Sequence, residues 1–170
     1  MRFALLTSLT LPVVAAAKTP PQPPQASSQA AGYVAAAGRS DLHEIRSSQI
    51  AMKKAKSPQV RRYGQMLVTH HRDTTAATLA AARKAGMSPP PPGLDAGAAR
   101  SISELDGAAP ADLDRVYLRQ QSPAHQAALS LHQAYGRNGD QAPLRASAEA
   151  AIPIVQAHLS QAEKLWTNAR

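Results

Sequence analysis

The sequence predicts an all-α fold: an up-down four-helix bundle with a longer middle crossing and a short extra helix. Three observations carry this. Apolar residues recur at helical spacing over four long stretches. Much of the 44% apolar content is alanine and only 4% of residues are aromatic, which suits helices that approach closely and cannot fill a large sandwich core. The stretches are joined by two short connections and one longer one, the layout of a bundle. With 170 residues, the chain is long enough for one domain with a proper core.

Residues 1–17 read as a signal peptide. Arg2 gives a short positive start, Phe3 to Val14 is apolar, and Ala15-Ala16-Ala17 supplies the small residues a signal peptidase needs. The run is too short to stay in a bilayer as a spanning helix. The expectation is an exported protein, periplasmic or extracellular, with no transmembrane segment in its mature form. Residues 18–30, with Pro20-Pro21 and Pro23-Pro24, read as a disordered Pro/Gln-rich linker. The bundle domain is then 31–169.

The first long helix is expected from about Tyr33 to Lys56, with Leu42, Ile45, Gln49 and Met52 on one stripe and Ala37, Asp41, Glu44, Ser48 and Ala51 beside it. Ser57-Pro58 marks a boundary, since serine caps and proline suits a first helical position. The second long helix covers about Pro58 to Ala85 and stops at Gly86. Pro89 to Pro92 force a loop, and a short helix from about Ala98 to Leu105 follows. The third long helix runs from about Pro110 to Tyr135, with Pro123 inside it just before His125. The fourth runs from about Ala142 to Asn168 and carries Pro153 five residues before His158.

There is no cysteine, which removes disulfides, thiolate chemistry, Fe–S clusters and lipoprotein anchoring together. The net charge of +8 is uneven. From Arg39 to Lys84 ten Lys/Arg face three acids, a net +7; from Ala85 onward seven face eight, a net −1. Lys53, Lys54, Lys56, Arg61 and Arg62 cluster at the tip of the first hairpin. They are either a solvated charge run or a surface for anionic envelope components. No nucleic-acid motif accompanies them, and none is expected as a partner.

Glu44, His71, His125 and His158 each fall in a separate long helix. Turned inward, they would offer the nitrogen and oxygen donors that one transition metal ion (Zn, Fe, Mn or Cu) accepts. Around them stand His70, Asp114 and Tyr117. The competing reading is a buried hydrogen-bonded network of the same groups, with no metal. With four glutamates, none of them three residues before a histidine, the chain lacks the paired Glu-x-x-His signature of a di-iron bundle. Adjacent helical residues point about 100° apart, which places His70 at a helix surface or boundary. His43 is expected to face solvent and His132 to be partly exposed. No histidine has the Ser or Cys context of a nucleophilic triad, so the leading expectation is a non-catalytic protein.

Four runs in order resemble a bacterial family. They are Glu44-Ile45 through Ser57-Pro58-Gln59-Val60-Arg61, Tyr63-Gly64-Gln65-Met66-Leu67-Val68 ending in His71, Asp114-Arg115-Val116-Tyr117-Leu118 leading to His125-Gln126, and Ile152-Pro153 leading to His158-Leu159. The chain is similar over about Tyr33 to Trp166 to domain of unknown function family 4142, exported proteins placed with the ferritin-like bundles. The family's usual pattern has an Asp where His70 stands and a large apolar residue where His132 stands. The resemblance implies a ferritin-like bundle and, by analogy, metal handling or envelope stress protection. Two other functions remain open: a mononuclear metalloenzyme acting on an oxygen species, and a metal-free envelope-binding module that uses the basic hairpin.

Overall fold

The computed structural model describes residues 28–168. The signal peptide, most of the linker and the last domain residue expected above lie outside that range. Five helices form among the described residues: α1 (Ser28–Lys54), α2 (Pro58–Lys84), α3 (Ala96–Asp106), α4 (Leu113–Asn138) and α5 (Ala142–Asn168). The first begins before Tyr33, inside the stretch assigned to the linker. Ala30 is fully buried, and Gln29 Nε2 donates to the carbonyl of Asn138 at 3.3 Å, so tertiary contacts extend the helix where composition alone argued against one.

The ends follow from local chemistry. Ser57 caps α2, its hydroxyl accepting the amides of Gln59 and Val60, with Pro58 at the first helical position. At the other end Gly86 adopts φ +75°, the left-handed conformation glycine takes without a Cβ penalty. There the Met87 amide reaches back to the Ala82 carbonyl at 2.9 Å, closing a Schellman motif. Asp95 caps α3 through the Ala98 amide at 2.8 Å. α4 starts at Leu113 rather than at Pro110, because residues 109–112 turn first: the Asp112 amide bonds to Ala109 O at 2.9 Å. Both α4 and α5 continue through their internal prolines.

Two apolar clusters fill the bundle. One joins Ala51 and Ala55 of α1, Val60, Tyr63 and Leu67 of α2, Leu105 of α3, Leu113, Tyr117 and Leu118 of α4, and Ala162 and Leu165 of α5. The other joins the start of α1 (Ala30, Tyr33, Val34, Ala37) to the end of α2, the end of α4 and the start of α5 (Leu144, Ala148). This sharing of ends sets the directions. α1 and α5 run one way, α2 and α4 the other, and the middle crossing returns the chain along the bundle. The result is the up-down-down-up order of a ferritin-like bundle with one long crossover. Around the axis α1 touches α2 and α4, α5 touches the same two helices, and α3 packs on α1 and α4.

α1 and α2 approach closely at Gly64. A Cβ there would stand 3.0 Å from the Ser48 carbonyl oxygen, so only glycine lets the backbones meet at that spacing. Between the two apolar clusters, near the middle of each long helix, the interior turns polar.

Candidate metal centre

Glu44 on α1, His71 on α2, His125 on α4 and His158 on α5 are all at most 2% exposed. The three histidines meet. Each offers one nitrogen within 4.8 Å of those of the other two, and their ring centroids are 5.1–5.6 Å apart.

Every one of the three uses one ring nitrogen and leaves the other free. His71 Nδ1 lies 2.8 Å from Asp41 Oδ1, an N–H donated to a carboxylate. His125 Nδ1 donates to the Gln121 carbonyl at 2.9 Å. His158 Nε2 pairs with His70 Nδ1 at 2.9 Å. The remaining nitrogens, His71 Nε2, His125 Nε2 and His158 Nδ1, are buried without a hydrogen-bond partner among the described residues. Buried polar atoms normally find partners, so three orphaned lone pairs in one place call for a ligand.

Both oxygens of Glu44 are likewise buried and unbonded; His43 Nδ1 stands 3.4 Å from Oε1, close enough for charge attraction but too poorly aimed for a hydrogen bond. Burial opposes the Glu44 charge, but the imidazoles of His125, His43 and His71 outweigh it and hold the carboxyl at about 2. Burial, reinforced by His71, His125 and His70, pushes His158 down to about 3. Burial also lowers His125, against the pull of Glu44. Among the described residues the converging group is the three histidines alone; an anionic carboxylate stands near enough to feel their charge, and at His125 and His158 the imidazoles are neutral, with lone pairs that can bind a cation.

The other sequence candidates take different places. His70 is half-buried beside His158. The Tyr117 hydroxyl pairs with Ser48 at 2.8 Å, not with a histidine. Asp114 sits away from the centre, at the α1–α2 turn, where its oxygens accept the amides of Lys56 at 2.9 Å and Ser57 at 2.8 Å. Of the basic hairpin residues, Lys54 bonds to Asp106 and Arg61 donates to the carbonyls of Ala55 and Lys56 at 2.6 and 2.9 Å. Lys53, Lys56 and Arg62 stay exposed.

Two histidine expectations are corrected. His43 does not face solvent: its side chain is 12% exposed, turned toward Glu44. His132 is 4% exposed, its Nδ1 3.1 Å from the Tyr33 hydroxyl in an aromatic group where Tyr33 stacks on Tyr135 at 4.0 Å. For His132, packing from Tyr33 of α1 covers a ring that its own helix leaves outside the apolar stripe.

Asp41, the partner of His71, is the residue of the candidate centre that spacing missed. Its second oxygen accepts the hydroxyls of Thr74 at 3.0 Å and Thr75 at 2.8 Å. The available signal was its place one helical turn before Glu44, on the same stripe of α1.

The family profile described as "Domain of unknown function (DUF4142)" matches residues 15–165. The chain belongs to this family. Among solved structures, this DUF4142 chain is similar to one described as "CopM in the Cu(I)-bound form". That match has a TM-score of 0.69 and 16% identity and covers 82% of this chain and 96% of the other. The chain is also similar to a DUF305 fragment from Deinococcus radiodurans, with a TM-score of 0.72 and 16% identity over 85% of this chain and 99% of that one. At such identity these likenesses establish a shared helical-bundle fold. No curated protein matches the chain. No helix of the DUF4142 bundle, among the described residues, is long and apolar enough to cross a membrane.

Proposed function

We propose that this DUF4142 protein is an exported metal-binding bundle that holds one transition-metal ion on His71, His125 and His158, with Glu44 as fourth ligand or as the balancing charge. The single observation that carries this reading is a trio of buried histidines that bring one nitrogen each within 4.8 Å of the others, every ring keeping one nitrogen without a partner among the described residues. Hydrogen bonds to Asp41 and to the Gln121 carbonyl orient two of those rings, the usual support for metal-binding histidines.

The donor chemistry narrows the metal. Imidazole and carboxylate suit Zn, Cu, Fe or Ni; soft thioether and thiolate donors, which favour Cu(I), are not part of the trio. Cu(II) stands highest in divalent affinity and Zn(II) suits a four-coordinate cage. That a similarly folded protein is described in a Cu(I)-bound form supports testing copper first, with Cu(II) as the state this donor set prefers. Four-coordinate ligand nitrogens at about 2.0–2.1 Å from a zinc ion lie roughly 3.4 Å apart, so nitrogens within 4.8 Å of one another would draw together by up to roughly 1.4 Å on binding.

Tag-free protein, stripped of metal and titrated with Cu(II) and Zn(II) in a calorimeter, should take up one equivalent. His71→Ala and His125→Ala should abolish uptake while circular dichroism still reports a helical bundle. No binding of either ion, and no thermal shift, would leave the buried hydrogen-bonded network as the better description.

A further inference from the structure

The geometry points to a way in for the ion: the groove between α2 and α5, with His70 as the ligand that hands the metal to His158. This rests on the metal-site reading. The groove is open and has a volume of about 810 Å³. His158, though 1% exposed, lines it together with His70. The two rings stack at 5.1 Å and 15°, with Nδ1 of His70 2.9 Å from Nε2 of His158.

With His158 Nδ1 free, the shared proton sits on His158 Nε2 and His70 Nδ1 accepts it. An ion in the groove would take the His70 Nδ1 lone pair in place of that hydrogen bond, the His158 N–H turning to water, and no proton leaves either ring. The rings of His71 and His125 are 5.1 and 5.3 Å from the His158 ring, so transfer inward would exchange His70 for His158 Nδ1 and then add the two further imidazoles. Met66 lines the same groove one helical turn before His70, on the same face of α2. A thioether next to an imidazole is a donor pair that copper accepts in both oxidation states.

The groove lining also contains Arg62 and Lys164 and no acidic side chain. Two cations repel a bare hydrated dication, so the incoming species is an ion still carrying anionic ligands, of the class of a copper–carboxylate complex. The carboxylates meet Arg62 and Lys164 while the metal exchanges onto His70.

The test is stopped-flow loading of the purified full chain with Cu(II) presented as its citrate complex, followed by the visible copper absorption, and release into excess chelator. His70→Ala should slow loading and release alike by about tenfold or more at unchanged stoichiometry, since a mere loss of affinity would speed release rather than slow it. Ala157→Trp, which fills the groove without touching a ligand, should slow both as well, and the Arg62→Glu/Lys164→Glu pair should slow loading from citrate. Unchanged rates in His70→Ala and Ala157→Trp, or an affinity loss in His70→Ala that accounts for its rate change, would overturn the route while leaving the metal site standing. A wild-type chain that takes up neither copper nor zinc overturns the site itself, and one that takes up zinc alone overturns the copper route.

Discussion

Asp41 Oδ1 receives the Nδ1–H of His71 at 2.8 Å, and the same carboxylate is fixed from its other side by Thr74 and Thr75. The acid thus selects the His71 tautomer that leaves Nε2 free and holds the ring in place. Removing such an outer carboxylate typically costs about 10–100-fold in metal affinity. Asp41→Asn should therefore weaken copper or zinc binding by that factor in calorimetric titration. A Thr75→Val change, which frees one of the bonds that pin Asp41, should give a smaller loss.

Glu44 tests the charge balance of the centre. Its carboxylate is buried with neither oxygen hydrogen-bonded, an arrangement that costs free energy unless cationic neighbours or a metal ion compensate. Glu44→Gln removes the charge at nearly constant volume. Because a buried unit charge near a divalent ion is weakly screened, affinity should fall by about tenfold or more, measured by competition with a chromophoric chelator. Unaltered affinity would exclude Glu44 as ligand and as counter-charge together.

The metal-free bundle should lose stability in acid. His158, held near 3 against an ordinary 6.5, takes up its proton in the unfolded chain well before it does so in the folded one. Stability then falls as pH drops through the interval from about 6.5 to 3, with a slope of up to about 1.4 kcal/mol per pH unit for one such proton. His125, lowered by burial, works in the same sense, as does Glu44 further down, between 4.5 and about 2. His132, lowered by burial, adds to them. Burial pulls His43 down but Glu44 outweighs it and leaves it raised, so His43 alone among these buried groups opposes the trend. Thermal melts of metal-free protein should show Tm decreasing steadily from pH 7 to pH 4. His158→Leu should flatten the upper part of that profile.

The helices and their meeting point were legible because the long segments each carry strong local signals. Ser57-Pro58 and Gly86 mark ends by backbone chemistry alone, and an inward polar residue on each long helix stands out against an alanine-rich stripe. What periodicity cannot report is which neighbour covers a ring at the edge of a stripe. His132 is enclosed by a contact from another helix, Tyr33 lying 99 residues away in sequence, and His43 turns toward Glu44 beside it rather than outward. Asp114 shows the reverse error: an acid at the start of α4 reads as a site candidate, but chain direction brings it to the amides of the α1–α2 turn. Asp41 was visible on the right stripe, but nothing in the sequence alone says that its partner is His71.

Gly64 gives a stability prediction at the α1–α2 contact. Glycine inside a helix costs roughly 0.5–1 kcal/mol relative to alanine, so the substitution Gly64→Ala begins with a small gain. The new methyl, however, would stand 3.0 Å from a backbone oxygen, which cannot rotate away, and overpacking of that kind costs about 1–3 kcal/mol. The second effect wins. Gly64→Ala should lower Tm by a few degrees, by about 2–4 °C per kcal/mol for a domain somewhat above this size, and a larger Gly64→Val change by more.

The basic hairpin separates into structural and free charges, and mutation should separate them in the same way. Arg61 donates to two carbonyls at the end of α1, groups that the helix itself leaves without partners. Hydrogen bonds involving a charged group contribute about 1.5–3 kcal/mol, so Arg61→Ala should destabilise the fold measurably in urea titration. Lys54 and Asp106 form a pair with both side chains about half exposed, and such surface pairs contribute about 0–1 kcal/mol. Lys54→Ala should therefore be nearly neutral, as should Lys53→Ala and Arg62→Ala. If the tip meets an anionic surface, the loss of retention on anionic vesicles at low salt should follow Lys53, Lys56 and Arg62, the side chains that no internal bond restrains. A stability loss confined to Arg61, with vesicle retention unchanged in a Lys53→Glu/Lys56→Glu/Arg62→Glu variant, would assign the cluster to the fold rather than to a partner.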